Sequence, residues 1–112
     1  MPYPQKHVSA VLSDLTNQSA TYSTSSVDLT LYHSGSFQVT TTSGAVTWTA
    51  VVEGSNDNTN FAQTAAPTPF TASGTLVLSL SDLTSRYYRV TMTRTGGTLT
   101  TATITYCAKA QR

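Results

Sequence analysis

Apolar and polar residues alternate through most of the chain, most clearly in residues 45–61. Val46, Trp48, Ala50 and Val52 fall on one face of an extended backbone, and Thr47, Thr49, Val51 and Glu53 on the other. A period of two predicts a strand with one face buried. This strand carries the only tryptophan, the largest apolar side chain a core can use. Gly54-Ser55-Asn56-Asp57-Asn58 then breaks the pattern. These residues tolerate left-handed backbone and make turns with their own side chains. Phe61 re-enters as a plug at the start of the next strand.

Two further stretches alternate as strongly. Over residues 86–95, Tyr88, Val90 and Met92 oppose Tyr87, Arg89, Thr91 and Thr93. Over residues 99–108, Ala102, Ile104, Tyr106 and Ala108 share the inward parity. Shared parity on three strands places Trp48, Val90 and Ile104 in one core. Weaker strands are predicted at residues 27–31, at Phe37-Val39-Thr41, and at residues 75–80 with Leu76, Leu78 and Leu80 on one face. Residues 8–15 read as a strand in preference to one turn of helix. Residues 17–26 read as a polar loop or an edge strand holding Tyr22.

Punctuation supports the same picture. Ser43-Gly44 and Gly96-Gly97 read as hairpin turns. His33-Ser34-Gly35 reads as a turn, and residues 65–69, with two prolines that deny ladder bonds, as a loop. Residues 81–85 form a short connection with room for one turn of 3₁₀ helix. The sum is about seven to nine short strands and no helix, which predicts an all-β fold: an antiparallel two-sheet β-sandwich, jelly-roll-like. Residues 1–7, with Pro2 and Pro4, cannot start a helix or a central strand. They read either as a loose tail or as an extended arm lying on a neighbouring subunit. Residues 8–112 make one domain.

Composition narrows the function. The 23 threonines and 14 serines suit half-exposed pleated surfaces. Charged residues are 10% and the formal net charge is +1, so neither nucleic acid nor an anionic membrane is an expected partner. Cys107 is the single cysteine; with no intrachain disulfide to form, the fold suits synthesis in a reducing cytoplasm. No signal peptide is legible in residues 1–7, and no apolar run is long enough to span a bilayer.

The chemistry-bearing residues are scattered. His7 and His33 are isolated, and Asp14, Asp28, Glu53, Asp57 and Asp82 stand apart, most of them beside turns. No metal-ligand spacing and no nucleophile motif occurs. We therefore expect no catalytic residue, no metal, no cofactor and no enzyme. Residues 53–60 are the densest group of side-chain oxygens, but two carboxylates are few for Ca²⁺, so a metal-independent turn is expected. Arg86, Arg89 and Arg94 are too few for a phosphate track. Pro2, Tyr3, Pro4, Tyr22, Tyr87 and Arg89 are the candidate interface residues, because aromatics and arginine are enriched where proteins meet.

Two motifs carry a resemblance. Val52-Glu53-Gly54-Ser55-Asn56-Asp57-Asn58-Thr59-Asn60-Phe61 resembles a V-x-G-S-N-D-G-x-x-W turn, with Asn58 in place of the glycine and Phe61 in place of the tryptophan. Arg86-Tyr87-Tyr88-Arg89-Val90 resembles the A-R-Y-V-R-V strand that follows it. Together they are similar to small β-sandwich structural proteins of tailed phages and, more weakly, to discoidin-like (F5/8 type C) domains. The first resemblance implies a virion structural protein made in the host cytoplasm: a capsid decoration (cement) or accessory subunit. Its partners would be the major capsid protein, other virion proteins and copies of itself. The second implies a carbohydrate-binding module in host adsorption, with a glycan as ligand.

Overall fold

A computed structural model describes residues 7–110 of the chain. The candidate residues Pro2, Tyr3 and Pro4 lie outside the described residues. Among the described residues, ten strands follow one another without a helix: β1 (His7–Gln18), β2 (Tyr22–Ser23), β3 (Val27–Asp28), β4 (Ser34–Ser43), β5 (Thr47–Ser55), β6 (Ala62–Gln63), β7 (Thr68–Phe70), β8 (Gly74–Leu80), β9 (Tyr87–Gly96) and β10 (Leu99–Lys109). They form two antiparallel sheets. The first has four strands in the order β1-β10-β4-β8. The second has six: β2-β9-β5-β6, with β3 also on β9 and β7 also on β5. This is the antiparallel sandwich the alternation predicts. The strand number exceeds the expected seven to nine because the strands flanking β9 and β5 are broken into short pieces.

The breaks have local causes. Between β2 and β3, Thr24 continues the pairing without ladder geometry. Its N–H donates to the Val90 carbonyl at 2.9 Å, and its buried hydroxyl accepts the Val90 N–H at 3.1 Å. Residues 27–31 do not form the full strand expected. Only Val27–Asp28 pairs, because Asp28 Oδ1 accepts both the N–H and the hydroxyl of Thr30, a side-chain turn that competes with a ladder. Residues 65–69 are not wholly a loop. Pro69 sits inside β7, opposite Thr49, on an edge where proline's missing donor is tolerated. No 3₁₀ turn forms at residues 81–85.

The inward parities of β4, β5, β9 and β10 meet in one core. Phe37, Trp48, Val90, Met92, Ala102 and Ile104 are completely buried. The Phe37 ring lies between Tyr88 and Tyr106, with centroids 6.5 and 6.2 Å away. The buried Tyr88 hydroxyl accepts the Ser85 N–H at 2.7 Å, as a buried phenol requires.

Both expected hairpins are corrected by the sheet assignment. β4 and β5, joined through Ser43-Gly44, lie in different sheets, and so do β9 and β10, joined through Gly96-Gly97. Each Gly-containing turn carries the chain over the rim of the sandwich. At the second corner Gly97 has φ +84°, and a Cβ there would stand 2.7 Å from Val46 Cγ1. Only glycine fits that backbone and that gap.

Candidate interaction surfaces

The two sheets leave two outer faces, and their residues follow from strand parity. On the outer face of the six-stranded sheet, register sets Glu53 opposite Arg89 and Val51 opposite Thr91. Glu53 Oε1 accepts Arg89 Nε at 2.8 Å and the Thr91 hydroxyl at 2.7 Å. Ser23 and Thr91 share a further hydroxyl bond of 2.8 Å. The Arg89 guanidinium carbon lies 4.0 Å from the centroid of the Phe61 ring, so the cation is held between a carboxylate and an aromatic face. The Glu53 and Arg89 side chains are only 15% and 31% exposed. Phe61 thus covers one face of the guanidinium. The network escapes sequence inspection because its members lie on different elements. Its one legible signal is the outward parity of Glu53 and Arg89 on the two strongest strands.

The turn that follows β5 is closed by its own side chains. Ser55 Oγ accepts the N–H groups of Asp57 and Asn58, and donates to Asp57 Oδ1 at 2.8 Å. Asp57 Oδ1 also accepts the N–H groups of Thr59 and Asn60, while Oδ2 accepts the Asn60 side-chain amide at 2.8 Å. The Asn60 backbone and side-chain bonds, then those of Thr59 and Ser55, hold the Asp57 carboxyl well below the ordinary carboxylate range. Asn58 stands at φ 62°, in the left-handed region that asparagine tolerates better than most residues, and its Oδ1 accepts the Ser26 hydroxyl. Among the described residues, no group of three or more His, Cys, Asp or Glu side chains is placed to hold a metal.

The predicted interface residues part company. Tyr87 and Arg89 share the outer face of β9, and the Arg86 guanidinium lies 5.1 Å from the Tyr87 ring centroid. Tyr22 points the other way. It is opposite Met92, packs against the core, and shares a 2.8 Å hydroxyl bond with Ser13 of the other sheet. His7 is the first residue of β1, opposite Lys109. His33 pairs with Asp82 at 3.4 Å, both exposed.

The outer face of the four-stranded sheet is different in kind. Register lines up Val11, Thr105, Gln38 and Val77 in one row across all four strands. Ser9, Cys107, Ser36 and Ser79 make the next row, and Asp14, Thr103, Thr40 and Thr75 another. A shallow depression of about 380 Å³ crosses the first two rows. Asp14 is bonded to the Thr103 hydroxyl at 3.0 Å. The rest of the face is built of hydroxyls, one amide, one thiol and two exposed valines, with His7 and Lys109 side by side at its end.

No protein-family model matches the chain, and no curated protein sequence does. Solved structures share the fold. The exported protein XepA of PBSX superposes with a TM-score of 0.72 at 17% identity, covering 94% of this chain and 37% of XepA. The chain thus spans little more than a third of XepA's length. YomS, an SPBc2 prophage-derived protein, superposes with a TM-score of 0.65 at 5% identity, covering 98% of both chains. A subunit of Bacillus endospore appendages, which form a family of disulfide-linked pili, superposes at 0.57 with 14% identity, covering 96% of this chain and 88% of its own. At these identities the likeness is one of fold.

Proposed function

We propose that this chain is a non-enzymatic structural subunit of a phage particle, working through protein–protein contacts, and that its finer role is capsid decoration or cement. The observation that carries this reading is the division of polar groups between the two faces. Asp57, Glu53, Arg89 and Asp28 are all engaged within the fold, so these groups do not converge on an open site. The broad free surface is a hydroxyl face with two exposed valines, its charge confined to Asp14, which is bonded to Thr103, and to Lys109 beside His7 at one end; such a face suits a protein partner and gives a charged ligand no cluster to bind. Phage-derived proteins of the same fold, one of them covered over nearly its whole length, add support.

Connectivity favours the same class of architecture. With β2/β3 and β6/β7 each taken as one interrupted strand, every connection except the β5–β6 hairpin crosses from sheet to sheet. We read this as a jelly roll, a frame common in shell proteins. Tyr87, with Pro2, Tyr3 and Pro4, then belongs to contacts with neighbouring subunits, the last three as an arm, and Arg89, held by Glu53 and Phe61, supports that contact from beside Tyr87. Tyr22 supports such contacts from within the core.

The test is co-sedimentation of the purified chain with phage heads, run beside a glycan array. Saturable binding to heads with an empty array supports the proposal. Glycan binding without head binding replaces it with the carbohydrate-binding reading. Deleting residues 1–6 should weaken head binding without lowering thermal stability; unchanged affinity would remove the arm from the proposal.

A further inference from the structure

We infer that the free edge of β8 is a self-pairing edge, through which two copies of the chain join their four-stranded sheets across a two-fold axis. The inference rests on the protein-contact reading above and names one surface for it. A sandwich has edges, and folded proteins guard them with short strands, proline, bulges or charge. Three of the four edges here are guarded. On one side of the six-stranded sheet β2 and β3 are two residues each; on the other, β6 is two residues and β7 contains Pro69. β1 is long, but its register slips between Val11 and Ser13, Asp14 lies beyond the slip, and Asn17 takes φ 51°.

β8 is seven residues long with no proline, bulge or charge, and the β6–β7 segment beside Val77–Leu80 makes no backbone hydrogen bond to it. Its pairing with β4 is continuous from Gly35↔Leu80 to Thr41↔Gly74. No charged residue or proline occurs between Phe70 and Ser81. Among the described residues, no backbone hydrogen bond joins β8 to anything but β4. Alternate N–H and C=O groups along seven residues therefore face outward as a template for another strand.

The occupant that fits is a second β8. Antiparallel self-pairing centred on Val77 sets Val77 against its own copy, Leu76 against Leu78 and Thr75 against Ser79. The uncharged sequence meets itself without like-charge repulsion, as a two-fold contact requires. Val77 is 58% exposed and would be covered by its symmetry mate on the outer face. Leu76, Leu78 and Leu80, half-buried at the open side of the core, would gain apolar neighbours on the inner face. A pair of seven residues at about 3.4 Å each is about 24 Å long, a small contact by the standard of stable dimers. The association is therefore weak and concentration-dependent, the kind that becomes effective when copies are arrayed on a shell.

Charge swapping at the two-fold tests this, because residue 77 meets itself only in this pairing. Sedimentation equilibrium of the wild-type chain should show a monomer–dimer equilibrium. Val77→Lys and Val77→Glu should each weaken it by about tenfold or more, from the lost apolar pair and the like charges set opposite. An equimolar mixture of the two should restore it. Circular dichroism should be unchanged throughout, since the side chain is exposed. A wild-type chain that stays monomeric at all concentrations, or a dimer indifferent to both substitutions, overturns the inference. Head binding by such a chain leaves the structural-subunit reading intact, whereas loss of head binding strikes that reading and not this edge.

Discussion

Replacing Trp48 tests the core, and two replacements separate its two contributions. Trp48 is completely buried in the middle of β5. Its indole N–H is also buried and finds no acceptor among the described residues. Trp48→Ala removes the packing. Large-to-small changes of this size cost about 3–5 kcal/mol, a large share of the roughly 5–15 kcal/mol by which a domain is stable. With a urea m-value of about 1–1.5 kcal/mol per molar, the midpoint should fall by roughly 2–5 M, or the variant should be unfolded without denaturant. Trp48→Phe keeps a ring on the same strand and deletes the unpaired donor. A smaller ring forfeits one or two methylene equivalents, about 1–2 kcal/mol. Removing a buried, unbonded N–H returns a desolvation cost of about 1–3 kcal/mol. The phenylalanine variant should therefore lie within about 2 kcal/mol of wild type. Urea unfolding followed by far-ultraviolet circular dichroism measures both, since tryptophan fluorescence is lost. Equal costs for the two variants would refute the argument about the N–H. A Trp48→Ala variant that unfolds like wild type would refute the core itself.

Four further outcomes are expected. Arg89→Ala should destabilise by about 1–3 kcal/mol, because Glu53 keeps a half-buried carboxylate and loses its charged partner; a double-mutant cycle with Glu53→Gln should show coupling, and strict additivity would deny it. Asn58→Ala should cost about 1 kcal/mol by thermal unfolding and Asn58→Gly less, because φ is 62°: alanine keeps the Cβ crowding of the left-handed region without asparagine's local polar compensation, whereas glycine removes the crowding. The Asp57 carboxyl has a lowered folded-state pKa, so its contribution is complete above the ordinary value of 3.8 and fades as pH falls below it; Asp57→Asn should lower stability near neutrality and flatten the acid side of the stability–pH curve, which an unchanged acid slope would contradict. Millimolar Ca²⁺ should leave the melting temperature unmoved, because both Asp57 oxygens already accept bonds from the turn; a chelator-reversible rise of several degrees would show otherwise.

Alternation along the chain was enough to say which residues are inside. Phe37 and Val39, Trp48 and Ala50, Tyr88, Val90 and Met92, and Ala102 and Ile104 are buried as their parity requires, because the side-chain period of a strand is a local property of the backbone. The left-handed turn at Asn58 was legible for the same reason. Partnership was not. Ser43-Gly44 and Gly96-Gly97 mark reversals of the chain, yet a reversal does not say whether the next strand pairs with the last or crosses to the facing sheet. That choice is made by burial of both inner faces at once, which depends on strands far apart in sequence, such as β1 against β10. Val51 shows the limit from the other side: its parity is outward, yet it is buried, beside Thr64, Ala65 and Ala66 of the β6–β7 segment. The Glu53–Arg89–Phe61 cluster and the open β8 edge likewise exist only once the strands are paired, because hydrogen-bond partners and free edges are properties of the sheet and of no single strand.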